Sequence, residues 1–68
     1  MDFSNDILDE LLSKVDAFNN KAFLLADDVR RRNALNFYAR EMIAAKEMKV
    51  TLYDLVTATI THFKLMKQ

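Results

Sequence analysis

Apolar residues recur through the first part of the chain as Leu8, Leu11, Val15, Phe18, Ala22, Leu25 and Val29, and from Leu11 onward the steps alternate between four and three. That spacing gathers them on one stripe of a helix. Ser4, Asn5 and Asp6 are good N-cap residues, and Asp9 and Glu10 follow where carboxylates favour the positive end of the helix dipole. A first helix is therefore predicted over 5–28, with Asn19-Asn20 as a weaker break. The same register carried past Val29 meets Arg32 and Asn36, so the face changes there or a new helix starts, capped by Asp27 or Asp28. A second stripe of Leu35, Tyr38, Ala39, Met42 and Ala45 predicts a helix over 29–48.

The sharpest boundary is Val50-Thr51-Leu52-Tyr53-Asp54-Leu55. Thr51 with Asp54 three residues on has the form of a capping box, and Val50 can pack on Leu55 as a hydrophobic staple. A third helix is predicted over 52–66, with Leu52, Leu55, Val56, Thr59, Phe63 and Met66 on its apolar face. Residues 56–61 also alternate apolar and polar and are rich in β-branched side chains, as a half-buried strand would be. A strand needs a partner, and no other segment offers one without turn residues to join the two, so helix is the expectation.

Composition sharpens this picture. The chain has 68 residues and neither glycine nor proline, and those two residues supply the backbone angles of tight turns and hairpins. The expected fold is a single all-α domain over 1–68, a small three-helix bundle made of a long first helix and a helical hairpin. Half of the residues are hydrophobic, 51%, with no cysteine to form a disulfide. Two short following helices offer little surface to cover the first one, and so small a fold needs additional burial. A homodimer or an obligate protein partner is expected, with Leu8, Leu11, Val15, Phe18, Leu25 and Val29 as the protein interface.

The candidate chemistry is thin. His62 is the only histidine, the two serines Ser4 and Ser13 lie far from it in sequence, and no cysteine is present. Nucleophilic triads and zinc sites need more partners than these. Asp6 and Glu10 stand one helical turn apart but suit a helix start better than a cation site. No catalytic, metal or cofactor-binding residue is assigned, and the chain is not expected to be an enzyme. An acidic opening, a longest apolar run of only Ala22 to Ala26 and the lack of cysteine point to a cytoplasmic protein with no membrane span. The net charge is zero, yet residues 1–28 hold seven acids against two bases, a formal −5, and residues 29–68 hold eight bases against three acids, a formal +5. Such asymmetry can draw an anionic partner to the second half or steer two copies together.

Arg30-Arg31-Arg32 is the densest basic cluster. Farther on, Ile43-Ala44-Ala45-Lys46-Glu47-Met48-Lys49-Val50-Thr51-Leu52-Tyr53-Asp54-Leu55-Val56 resembles the two-helix core of helix-turn-helix regulators. In that resemblance Ala45 takes the small buried position, Met48, Val50 and Leu55 the apolar ones, and Thr51 the cap. The stretch 43–66 is also similar to the helical pair of ribbon-helix-helix repressors. The resemblance implies a dimeric DNA-binding transcriptional regulator using the helix pair 35–66, with Arg30, Arg31, Arg32, Lys46, Lys49, Thr51 and Tyr53 as nucleic-acid contacts. Against it stands the expectation drawn from the apolar surplus: a small helical protein-interaction module, such as a regulator, an inhibitor or a chaperone-like adaptor, acting through an apolar helix face.

Overall fold

A computed structural model describes residues 3–19 and 22–66, and for 17–19 the backbone alone. The order is α1 (Asn5–Asn19), α2 (Ala22–Leu25), α3 (Asp28–Lys46) and α4 (Leu52–Phe63), with no strand among the described residues. The β-branched stretch of 56–61 is thus helical. Its place in α4 buries Leu55, Val56 and Thr59 and half-buries Leu52 and Phe63, and the Thr59 hydroxyl donates to the Leu55 carbonyl at 2.8 Å. A buried threonine satisfied within its own helix costs little.

Three of the four helix starts carry side-chain caps, the longest contact being at α1, where the Ser4 hydroxyl oxygen accepts the Ile7 amide at 3.4 Å. Asp27, in extended conformation, accepts the Arg30 amide at 2.8 Å, and Thr51 accepts the Asp54 amide at 3.0 Å. Both helix ends that follow use a left-handed residue that is not glycine. Glu47 (φ 52°) and Lys64 (φ 53°) close α3 and α4, and the Met48 and Leu65 amides reach back to the Ile43 and Ile60 carbonyls at 3.0 and 3.1 Å. These are Schellman closures. A side chain at this position carries steric strain of about 1 kcal/mol that glycine does not have. Glu47→Gly is expected to stabilise the domain by about 1 kcal/mol, read as a rise of roughly 4–8 °C in Tm. An unchanged or lowered Tm would show that the Glu47 side chain compensates for its backbone.

The core joins three helices. Leu8, Leu11 and Val15 of α1 meet Leu35, Ala39 and Met42 of α3 and Leu55 and Val56 of α4, with Phe23 of α2 and Leu65 closing the edges. All ten are at most 9% exposed. The radius of gyration of 11.1 Å is close to the ~11 Å of a compact chain of this length. No helix among the described residues is long and apolar enough to cross a membrane.

The structure departs from the expected elements at several points. The long first helix over 5–28 is two helices, α1 ending at Asn19 and the single turn α2, and α3 begins at Asp28 on its own cap. The interruption changes the register. Carried across it, the stripe reaches Ala22, Leu25 and Val29, which are exposed, whereas Phe23, one position off the stripe, is buried. Finally, Ala45 is exposed, and the third helix closes at Phe63 instead of 66.

Candidate interaction surface

Between α2 and α3 the chain turns in two residues, and the apolar side chains around that turn are left uncovered. Leu24 is 59% exposed, Leu25 85% and Val29 68%. Leu24, Leu25, Ala26, Asp27, Asp28, Val29 and Arg31 line an open depression of about 690 Å³. A second depression, of about 330 Å³, continues past Asp28 and Val29 to Arg32, Asn33 and Met66. The corner therefore joins the end of α2, the first turns of α3 and the segment after α4. Large apolar side chains scattered singly are ordinary on a protein surface, but three in one concavity mark a contact surface.

One residue holds the corner together. The Arg31 side chain, 15% exposed, donates from Nε to the Phe23 carbonyl at 3.2 Å, from Nη2 to the Leu24 carbonyl and from Nη1 to the Leu65 carbonyl, each at 2.5 Å. Nη1 also lies 3.7 Å from the Asp28 carboxylate, which is 46% exposed. Carbonyls at a helix end lack intrahelical partners, and a guanidinium supplies donors in a planar fork that meets several at once. Arg31 thus ties the end of α2 and the end of the α4 segment to α3.

The predicted interface divides along this geometry. Leu8, Leu11 and Val15 lie in the core, 4%, 0% and 0% exposed, because α3 and α4 together cover the inner side of α1. They cannot serve as a docking face in the folded chain. Leu25 and Val29 are on the surface, at the corner, and Leu24 joins them. The Phe18 side chain lies outside the described residues. Leu24 lies off the heptad stripe, and no spacing in the sequence singles it out.

The predicted nucleic-acid contacts are likewise dispersed. Arg31 is committed to internal carbonyls, while Arg30 and Arg32 are exposed at different angles around α3. Lys46 pairs with Glu10 of α1 at 3.2 Å, and Lys49 is exposed in the turn. The Thr51 hydroxyl is engaged in its cap, and Tyr53 is 71% exposed. In the 43–66 resemblance the small buried position falls on Ala45, whose side chain faces solvent. His62 is exposed and stands edge-on to Phe63 at 4.7 Å between ring centroids. Among the described residues no three His, Cys, Asp or Glu side chains cluster as a metal site. No family model, curated protein or solved structure matches this chain.

Proposed function

We propose that the protein is a small helical interaction module without catalytic chemistry, in the manner of a regulator, inhibitor or chaperone-like adaptor, and that it works through the α2–α3 corner. The observation that carries this reading is the contrast within one chain: Leu11 is 0% exposed and Leu25 is 85% exposed, with Leu24 and Val29 beside it. The occupant that best fits the corner is a second copy. Asp27 and Asp28 stand on one side of Val29 in sequence, and Arg30 and Arg32 on the other. An interface about a two-fold axis places each patch on its own image, so a rim carrying both signs complements itself.

Burying three such side chains from each of two copies contributes on the order of 10 kcal/mol. Association costs about 4–15 kcal/mol in lost freedom, so a weak dimer is expected. Sedimentation equilibrium checks this. The wild type is expected to dimerise at micromolar concentrations, and Leu25→Glu to remain monomeric with unchanged helix content and, at dilutions where the wild type is monomeric, the same melting temperature. A wild type that stays monomeric at high micromolar concentration would remove self-association, and a Leu25→Glu dimer would move it off this corner. The reading goes with a cytoplasmic setting.

A further inference from the structure

The outward stripe of α3 has a composition that the core does not require, and it runs on from the corner, where Arg30 stands on the rim and Asn33 lines the second depression. Arg30, Asn33, Phe37 and Arg40 follow one another at steps of three, four and three. At about 100° per residue they share one face. Arg30, Asn33 and Arg40 are exposed, and Phe37 is 55% exposed. Asn36, half-buried, borders the stripe on one side, and Glu41 marks its edge on the other. Ten of the 68 residues are acidic, yet none lies on the stripe between Arg30 and Arg40. Asp27, at its head, is bound to the Arg30 amide, and Asp28 lies beside Arg31. Among the described residues neither Arg30 nor Arg40 forms an ion pair. The Tyr38 phenol next to Phe37 is held above its ordinary pKa, chiefly by desolvation and then by the Glu41 carboxylate, and so adds no negative charge near neutrality.

A merely solvated face on a chain with equal numbers of acids and bases would carry both signs. Phe37 packs edge-on against Tyr38 at 5.1 Å between ring centroids and still leaves more than half of its surface open between an asparagine and an arginine. We infer that the Arg30-Asn33-Phe37-Arg40 face of α3 is a docking surface for duplex DNA. The dimensions agree: ten residues of helix set Arg30 and Arg40 about 15 Å apart, comparable with the ~12 Å width of the major groove, which admits one helix. The two guanidiniums reach phosphates at either side. Asn33, between them, can pair with the adenine edge, and Phe37 can meet a thymine methyl. This surface differs from the 43–56 corner but adjoins the α2–α3 corner through Arg30 and Asn33, so binding is read at concentrations where the chain is monomeric.

Fluorescence anisotropy with short labelled duplexes tests the inference, because all the altered side chains are exposed and the variants keep the fold. The wild type is expected to bind at low salt and to weaken steeply as salt rises. Each phosphate contact contributes about 0.9 to the slope of log K against log salt, so Arg30→Gln with Arg40→Gln lowers that slope by about 2. Lys14→Gln, which removes a positive charge from α1, leaves it unchanged. Asn33→Ala keeps the slope and reduces the preference for an A·T-rich over a G·C-rich duplex. No binding at low salt would overturn the proposal, as would a double variant with the wild-type slope. A polyglutamate peptide bound as tightly as the duplex would replace DNA by an acidic protein partner.

Discussion

Replacing Arg31 by alanine is expected to lower stability by about 2–3 kcal/mol, although the residue carries no catalytic role and sits in a run of arginines that looks like a solvated turn. The change removes donors from the carbonyls of Phe23, Leu24 and Leu65 at once. Hydrogen bonds from a charged donor contribute about 1.5–3 kcal/mol each when lost singly, but three made by one side chain do not add, and water can reach the carbonyls that open to the surface. Most of the loss comes from the partly buried contacts to Phe23 and Leu65; the neighbouring Asp28 pair is exposed and contributes little. Against the total of roughly 3–10 kcal/mol expected of a chain this short, such a loss leaves a marginal fold. Arg31→Lys should recover less than half, because an ammonium cannot span three acceptors. Thermal melts of the three proteins decide the matter: a Tm for Arg31→Ala within two or three degrees of wild type would show that the clamp contributes nothing. The consequence extends to function. Arg31 fixes the end of α2, where Leu24 and Leu25 lie, so its loss should weaken both folding and self-association, whereas Leu25→Glu should weaken association alone.

This residue also marks the limit of what the chain discloses by itself. Caps are local, so Thr51 and Asp27 could be found from three residues of spacing, and the polar side of α4 follows from periodicity alone. Arg31 could not, because its acceptors stand seven, eight and 34 residues away and are backbone atoms, which leave no trace in residue type. The left-handed closures at Glu47 and Lys64 were hidden for a related reason. With no glycine to mark them, tertiary packing imposes a conformation that local preference opposes. The candidate surface was half legible. The heptad spacing puts Leu25 and Val29 on one face with Leu8, Leu11 and Val15, whereas in the fold the first pair is exposed and the other three are buried, on separate helices. Spacing identifies a stripe that must be covered. Whether the cover comes from the same chain or from another depends on where α3 and α4 lie, and the charge pattern of α3 acquires meaning only once its inner side is known.

Leu11→Ala separates those two kinds of cover and is expected to produce the larger loss. Leu11 is 0% exposed and lies in the middle of the α1 contribution to the core, between Leu8 and Val15. Truncating a fully buried leucine costs about 3–5 kcal/mol, the lost transfer energy together with the cavity left behind. In a domain with little stability to spare, this takes the melting temperature down by about 15 °C or more, or abolishes folding near room temperature. The informative part is the dependence on protein concentration. A core residue of the monomer lowers stability by the same amount in dilute and concentrated solution, whereas a residue in a dimer interface does so in a way that mass action modifies. Denaturant melts of wild type and Leu11→Ala over a hundredfold range of concentration are expected to give the same difference throughout. A difference that shrinks or grows with concentration would return Leu11 to an interface between chains. Should Leu11→Ala prove too unstable to measure, Leu11→Met at the same site keeps the volume, and a loss under about 1.5 kcal/mol that does not vary with concentration gives the same answer.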